Sequence, residues 1–261
     1  MIIKEMNGHS GCHVLLCQIK DRKFVRKISS SVSYNDRLYK QMLKQKDFTH
    51  NVIKTPIVID SGYSKDLFYF DMEFVGGMPF HNFVSLNVIQ NVAPLFESLC
   101  SFLDADTKET NITEKIDKKL NSISLPTNLN PYISYCKNFD WSKTPVCLGH
   151  GDLTFENIIV YRDKLYFIDF LDSFVESSLM DCSKILQDVL LSWSWRSEDK
   201  APFVKNMYLY NMLNQNVSQH KMEFVKRFLV LNLLRIFPYA DSSTINFLDN
   251  RLRYIGKAYN I

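Results

Sequence analysis

The chain has 261 residues, of which 46% are hydrophobic and 23% are charged. This length and composition are typical of a globular protein with its own core, and they exclude collagen-like, low-complexity and wholly disordered chains. The 31 basic and 28 acidic residues leave a net charge of +3. So small an excess gives no reason to expect a nucleic-acid-binding or membrane-surface protein.

The sequence also predicts where the protein resides. Its amino-terminal residues lack the apolar stretch of a signal peptide, and no run approaches the roughly 18 apolar residues of a membrane span. We therefore expect a cytoplasmic protein that does not enter a membrane. The six cysteines form no C-x-x-C pair and have no zinc-site spacing. In the cytoplasm they should be reduced thiols.

The amino-terminal part of the chain reads mostly as β-structure. Two apolar runs around a short polar turn predict a hairpin, an amphipathic helix follows, and two further β-rich runs come after it. These elements lie, in chain order, at residues 14–19, 23–28, 36–48, 57–63 and 67–74.

After these strands the pattern changes. Gly76 and Gly77 follow the last β-rich run at once and predict a hinge. Residues 87–104 carry apolar side chains at helical spacing, and the carboxy-terminal third is aromatic and helical in pattern. We therefore predict an α+β chain with a β-rich lobe at 1–75, joined to a larger helical lobe at 76–261.

A second predicted hairpin gathers polar residues suited to chemistry. Short strands at 158–161 and 165–168 surround a tight turn, which brings Asn157 back beside Asp169. An amide oxygen and a carboxylate are hard ligands of the kind that Mg²⁺ accepts alongside phosphate oxygens. Asp152 lies five residues before Asn157 on the same loop. A carboxylate there can take a proton from an incoming hydroxyl group.

These residues carry a family resemblance. His150, Asp152 and Asn157, followed by Asp169 after a short hairpin, resemble the catalytic arrangement of the protein-kinase-like superfamily. The H-G-D and I-D-F forms within residues 148–172 resemble its aminoglycoside phosphotransferase and choline kinase branch. The resemblance implies a two-lobe protein-kinase-like fold, with a small antiparallel sheet in the N-lobe and a mainly helical C-lobe. It also implies ATP and Mg²⁺ as cofactors.

The resemblance implies roles for residues in the β-rich lobe as well. Lys27 matches the lysine that holds the α- and β-phosphates. Ser10 and Gly11 fall where the loop covering the nucleotide should be, and their backbone amides would line the phosphates. Glu73 and Val75 match the segment whose main chain would hydrogen-bond adenine, through the Glu73 carbonyl and the Val75 amide.

Two features concern the support of these residues. Asp181 resembles the family's helix aspartate that braces the catalytic loop, and we expect His150 to buttress the same loop. The family usually pairs its phosphate lysine with a helix glutamate, but the helix after Lys27 contains none. Gln41 lies at about the expected distance and can accept a hydrogen bond from Lys27 without neutralising its charge.

The resemblance implies an ATP- and Mg²⁺-dependent kinase that transfers the γ-phosphoryl group to a hydroxyl of a small molecule, with Asp152 accepting the proton. After Ser183, lysines and arginines outnumber aspartates and glutamates, which favours a neutral or anionic acceptor. The I-D-F-L-D-S segment at 168–173 resembles phosphotransferases that act on sugars or on precursors of cell-surface polysaccharides. The sequence does not predict the oligomeric state.

Three alternatives stay open. The first is an aminoglycoside or choline-type kinase, which shares the motif. The second is a protein kinase, although the sequence lacks the A-P-E element that follows D-F-G in that class. The third is a catalytically silent nucleotide-binding pseudokinase, which the missing helix glutamate favours and the complete set of Asp152, Asn157 and Asp169 disfavours.

Overall fold

The computed structural model describes residues 1–6, 12–103, 108–198 and 200–261. The chain forms two compact units. The first unit comprises Met1–Phe80 together with Asn157–Asp172, and the second comprises His81–Glu156 together with Ser173–Ile261. The predicted hairpin at 158–168 thus belongs to the same unit as the amino-terminal strands.

The first unit is built on a five-stranded antiparallel sheet with strand order β1-β2-β3-β5-β4. Its strands and its one long helix are β1 (Ile2–Met6), β2 (Cys12–Ile19), β3 (Arg22–Ser29), α1 (Asn35–Asp47), β4 (Val58–Ser64) and β5 (Leu67–Glu73). The structure confirms the predicted hairpin, helix and two later strands. Strand β1 was not predicted; it is an edge strand whose residues are nearly all exposed. Such a strand lacks the alternation of buried and exposed residues that identifies strands in a sequence.

The core of the first unit lies between α1 and the sheet. Leu38 and Met42 are one helical turn apart and present one buried face of α1. They pack with Val25 of β3 and with Phe68 and Phe70 of β5 in a single apolar cluster. The alternating burial from Phe24 onward in β3, and as far as Phe70 in β5, follows from this contact, because every second side chain there points toward the helix.

A three-stranded sheet completes the first unit. It consists of β6 (Met78–Pro79), β9 (Ile158–Tyr161) and β10 (Lys164–Phe167), in the order β10-β9-β6. Arg162 and Asp163 form the turn between β9 and β10 with φ of 49° and 56°. Positive φ at both central residues matches the twist of the flanking strands. The predicted hairpin is confirmed, with a two-residue turn.

The two glycines before β6 differ in what they meet. A Cβ atom on Gly77 would clash with the carbonyl oxygen of Val160 in β9, whereas one on Gly76 would have room. Gly77 is therefore required by a close approach of two backbones within the first unit. The hinge predicted at this pair stays a prediction.

The second unit is mainly helical. Its helices and its small hairpin are α2 (Phe80–Leu86), α3 (Ile89–Leu103), β7 (Lys108–Thr110), α4 (Thr113–Asn121), α5 (Asn130–Lys137), β8 (Thr144–Val146), α6 (Ser178–Leu191), α7 (Phe203–Asn216), α8 (Gln219–Ile236) and α9 (Ser242–Tyr259). Helix α6 packs against α3, α7 and α8 and is buried along almost its whole length. The helix predicted at 87–104 corresponds to α3, which continues through Pro94.

Two sequence-based expectations concern the chain as a whole. None of the helices in the described part of the chain has the length and hydropathy required to cross a bilayer. All six cysteines are free thiols, as expected, and five of them are buried.

Candidate active site

The first unit carries a buried lysine on its sheet. Lys27 shares one face of β3 with Val25 and Ser29, and all three are buried because that face covers the core. Lys23 lies on the same face but at the exposed start of the strand. The Nζ atom of Lys27 lies 2.6 Å from Oδ1 of Asp169. With 5% of its surface exposed, Lys27 needs such a partner to remain charged.

Asp169 and Asn157 lie side by side at the base of the β9–β10 hairpin. The backbone N–H of Ile168 donates to the carbonyl of Asn157 at 3.0 Å, which closes the hairpin there. Asp169 adopts a left-handed conformation with φ of 62°. Aspartate tolerates this region better than most residues, and such outliers concentrate at functional sites. The carboxylate keeps 27% of its side-chain surface exposed and is open to a ligand.

These residues fit Mg²⁺ held jointly with phosphate. Within the described ranges, no group of three or more His, Cys, Asp or Glu side chains is placed to hold a metal ion by itself. Asp169 offers one carboxylate and Asn157 one amide oxygen. Mg²⁺ in phosphate-transferring sites is typically bound by one or two such protein ligands, with substrate phosphates and water supplying the rest. The donor set therefore suits a nucleotide-bound magnesium ion.

The partner of Lys27 is Asp169, whereas the sequence had suggested Gln41 as a possible acceptor. Burial lowers the pKa of Lys27, but the Asp169 carboxylate and the nearby Cys12 outweigh it, so that pKa is raised and the ammonium stays charged. Gln41 donates through Nε2 to the hydroxyl of Tyr34 at 3.3 Å. Its buried Oε1 has no hydrogen-bond partner among the residues that the structure describes. The expected hydrogen bond from Lys27 to Gln41 is therefore absent from the described structure.

The predicted adenine and loop residues are distributed as follows. Ser10 and Gly11 lie outside the described residues. Glu73 ends β5, and its backbone N–H donates to the carbonyl of Ile57 at 2.9 Å. Val75 lies between β5 and β6 and is half-buried. Nucleotide binding by these four predicted residues stays a prediction.

In the second unit, α6 braces the loop that carries Asp152. Asp181 is fully buried and accepts the backbone N–H groups of His150 at 2.5 Å and of Gly151 at 2.7 Å. A Cβ atom on Gly149 would lie 2.7 Å from the same carboxylate, so the loop needs glycine there. His150 is buried, and its Nδ1 accepts the backbone N–H of Asp152 at 3.2 Å. The predicted bracing roles of Asp181 and His150 are confirmed.

A second acidic residue supports the same loop from the segment after the hairpin. The Glu176 carboxylate accepts the N–H groups of Gly149 and Ser173, each at 3.3 Å. The hydroxyl of Ser173 donates to the carbonyl of Gly151 at 3.2 Å. Both carboxylates near the loop backbone, Asp181 and Glu176, are thus occupied by amide groups.

A third supporting carboxylate, which was not predicted from the sequence, is that of Asp188. Asp188 is fully buried on α6 and accepts the N–H groups of Phe155 at 2.6 Å and Ser194 at 2.8 Å. Burial raises the pKa of Asp188 to about 7, although the hydrogen bonds from Ser194 and Phe155 oppose this. Asp188 follows Asp181 by two helical turns. That spacing places both aspartates on one face of α6, and it could have identified Asp188 from the sequence.

The same face of α6 reaches Asp152 itself. Lys184 lies between Asp181 and Asp188, and its Nζ is 2.9 Å from Oδ1 of Asp152. Burial alone would raise the pKa of Asp152, but Lys184, followed by His150 and Arg235, outweighs it and lowers that pKa. Asp152 is therefore ionised at neutral pH and able to accept a proton. No motif in the sequence indicated Lys184.

Comparison with known proteins identifies the fold. Neither a protein-family model nor a curated protein matches the sequence. The structure is similar to that of the aminoglycoside phosphotransferase APH(4)-Ia, with a TM-score of 0.66 and 13% identity over 97% of this chain and 92% of that one. It is also similar to a putative fructosamine-3-kinase from Haemophilus somnus, with a TM-score of 0.58 and 13% identity over 95% and 90% of the two chains. A third similar structure is that of the choline kinase LicA from Streptococcus pneumoniae, with a TM-score of 0.57 and 14% identity over 97% of this chain and 93% of that one.

These likenesses define the class of fold. The chain has the protein-kinase-like α+β architecture predicted from its motif, with an antiparallel sheet in the amino-terminal part and a mainly helical remainder. The match covers nearly the whole chain, so the resemblance found in residues 148–172 extends to the rest of the fold. At such low identity the comparison establishes the fold, and activity must be argued from the site.

Proposed function

We propose that the protein is an ATP- and Mg²⁺-dependent phosphotransferase that moves the γ-phosphoryl group to a hydroxyl of a small molecule, a sugar or a precursor of a cell-surface polysaccharide. The observation that carries the proposal is the ion pair of Lys27 with Asp169 beside Asn157 within one unit. A buried cation and two hard oxygen donors form the set that a magnesium-bound polyphosphate requires.

Each residue then has a separate task. Lys27 would bind phosphate oxygens of ATP, while Asn157 and Asp169 would hold Mg²⁺, which neutralises charge on the phosphates when bound. Asp152 would take the hydroxyl proton as the acceptor oxygen bonds to the γ-phosphorus and the bond to the ADP oxygen breaks. Catalysis of this kind rests mainly on positioning and charge stabilisation.

The similar structures support the nucleotide part of this proposal. One crystal structure of an APH(4)-Ia mutant is a ternary complex with AMP-PNP and hygromycin B, and it matches this chain with a TM-score of 0.67. A kinase for aminoglycosides or choline is therefore the main alternative within this reaction class. The basic excess after Ser183 favours a neutral or anionic acceptor instead, because a polycation would be repelled by it.

A screen for acceptor-dependent ADP formation tests the proposal. The purified protein is incubated with Mg·ATP and sugars, sugar acids, sugar phosphates, amino alcohols and aminoglycosides in turn. We expect ADP and a phosphorylated product with at least one sugar or sugar derivative, and none from Asp152→Asn. Nucleotide binding without ADP formation from any acceptor would favour the pseudokinase. Efficient turnover of an aminoglycoside or choline alone would reassign the acceptor.

A further inference from the structure

Asp152 does not stand alone in the second unit, because two cations act on its carboxylate. Lys184 touches it directly, with Nζ 2.9 Å from Oδ1. Arg235 on α8 adds a second positive charge that favours the ionised form of Asp152. The proposed base thus has positive charge beside it, which would disfavour a cationic acceptor.

Asn232 connects the helices that carry the two cations. Asn232 is buried on α8, and its Nδ2 donates to the hydroxyl of Ser183 at 2.8 Å. Its Oδ1 accepts a hydrogen bond from Nη1 of Arg235 at 3.2 Å. Ser183 directly precedes Lys184 in α6. The amide of Asn232 therefore binds the residue next to Lys184 on α6 and the side chain of Arg235 on α8.

Arg235 also contacts the segment that is hydrogen-bonded to the loop carrying Asp152. Its guanidinium lies 4.8 Å from the centre of the Phe174 ring, a cation–π distance. Ser173, the residue before Phe174, donates its hydroxyl hydrogen bond to Gly151, the residue before Asp152. Arg235 thus lies against Phe174, and the residue next to Phe174 is hydrogen-bonded to the loop that carries Asp152.

The donors of Lys184 are only partly used. Its side chain is 12% exposed, and Asp152 is its only recorded partner among the described residues. An ammonium has three N–H donors, which leaves two for a ligand. The neighbouring carboxylates of Asp181 and Glu176 accept backbone amides of the loop. A nearly buried cation with unused donors beside the reacting position is suited to an anion.

We propose that Lys184 binds a carboxylate or phosphate group of the acceptor, next to the hydroxyl whose proton Asp152 accepts, and that Arg235 strengthens the attraction for that anion. This inference rests on the proposed function and narrows its substrate class to sugar acids or sugar phosphates. Lys184 would touch both the base and the substrate anion, whereas Arg235 would add long-range attraction. An acceptor with an ammonium group at that position would meet two like charges and bind poorly.

Matched acceptor pairs test the inference. Glucuronate with glucose, galacturonate with galactose and glycerate with glycerol differ in one carboxylate, while glucose 6-phosphate and glycerol 3-phosphate supply the phosphate arm. Acceptor-dependent ADP formation gives kcat and KM for each. We expect kcat/KM to be at least about tenfold higher for an anionic member than for its neutral partner, a barrier difference of about 1.4 kcal/mol. Whichever set of acceptors, the carboxylates or the phosphates, gives the higher kcat/KM identifies the anionic group that the site binds.

Variants then assign the preference to Lys184. Lys184→Met should lower kcat/KM about 10- to 100-fold for the anionic member, mostly through KM, and should reduce the anionic-to-neutral ratio to within about threefold. Lys184→Arg should keep the preference. Arg235→Met, which keeps an apolar side chain over Phe174, should weaken the preference less. Lys257→Met is the control, since it removes an exposed lysine of the same unit on α9.

The possible outcomes distinguish failure of the anion-binding inference from failure of the proposed phosphotransferase function. Melting temperature and Mg·AMP-PNP affinity establish that each variant is folded. If neutral acceptors are used as well as anionic ones, or if Lys184→Met lowers both members of a pair equally, the inference fails while the phosphotransferase proposal holds. Equal losses would mean that Lys184 acts only on Asp152 or on the transferred group. No ADP formation with any acceptor would overturn the proposed function, and the inference with it.

Discussion

Each unit contains a lysine paired with an aspartate, and the two pairs are similar in geometry. In the first unit Nζ of Lys27 lies 2.6 Å from Asp169, with the two side chains 6% and 27% exposed. In the second unit Nζ of Lys184 lies 2.9 Å from Asp152, with 12% and 31% exposed. In both, a nearly buried ammonium faces a carboxylate that stays partly open to solvent.

The pairs differ in what the proposed reaction demands of them. Lys27 would turn to phosphate and Asp169 to Mg²⁺, so binding of Mg·ATP must loosen the first pair. Lys184 and Asp152 would both face the acceptor, so the two side chains can stay in contact through the reaction, with Asp152 losing its charge only when it takes the proton. In the first unit the lysine–aspartate pair would therefore separate when its two members bind phosphate and Mg²⁺. In the second unit the corresponding pair would stay together while the acceptor binds. The predictions below test this distinction.

The largest effect is expected from removing the proposed base. Asp152→Asn should lower kcat by about 10²–10⁴, the usual contribution of a positioned general base, and leave Mg·AMP-PNP affinity nearly unchanged. Steady-state ADP formation and a nucleotide titration measure the two quantities. Asp163→Asn in the exposed β9–β10 turn is the matched control, because asparagine also accepts the positive φ found there. Loss of nucleotide affinity in Asp152→Asn would contradict the division of roles.

Removing the proposed metal ligand should instead affect nucleotide binding. Asp169→Asn replaces a negative ligand of a hard dication and deprives Lys27 of its partner. We expect Mg²⁺-dependent affinity for AMP-PNP to fall by about 10- to 100-fold, with affinity measured without Mg²⁺ much less affected. Titrations with and without Mg²⁺ provide the measurement. Equal affinity for wild type and variant in Mg²⁺ would show that Asp169 does not hold the metal.

Two lysines of β3 test the phosphate role of the first pair. Lys27→Met should weaken Mg·ATP binding by about tenfold or more, because it removes a charge beside the phosphates. Lys23→Met should change affinity less than about twofold, since Lys23 lies at the exposed start of the strand. Both variants remove one positive charge from the same face of one strand. Equal losses would show that the assigned strand register misplaces the phosphate lysine.

The smallest expected effect concerns stability rather than turnover. The pKa of Asp188 is raised to about 7, above its value in the unfolded chain. The folded state therefore binds the proton more tightly, and this contribution to stability is complete below about pH 4 and lost as pH rises toward 7. Asp188→Asn should flatten that part of the pH dependence of Tm, by a few degrees. An unchanged slope between pH 4 and 7 would contradict this.

Much of the site was predictable because its residues lie close together in the sequence. The hairpin around Arg162 and Asp163 joins Asn157 to Asp169 through a short, local connection with recognisable turn chemistry. Asp181 and His150 were predicted as braces from the family motif, and the structure bears this out. The partner of Lys27 was not predictable in the same way: the helix offered only Gln41 as a possible acceptor, and the charged partner is Asp169, which lies far from Lys27 in the chain.

The sequence by itself determined a β-rich amino-terminal part followed by a helical remainder, since hydrophobic periodicity specifies elements locally. The class of fold followed from the family resemblance of the short motif at 148–172. Tertiary structure alone decided which distant charges meet. Lys184 reaches Asp152 because three residues of α6, Asp181, Lys184 and Asp188, share the face that packs against the loop at 149–155. Arg235 joins them through Asn232 on another helix. Contacts between residues far apart in the chain depend on how helices pack, and no local pattern encodes that packing.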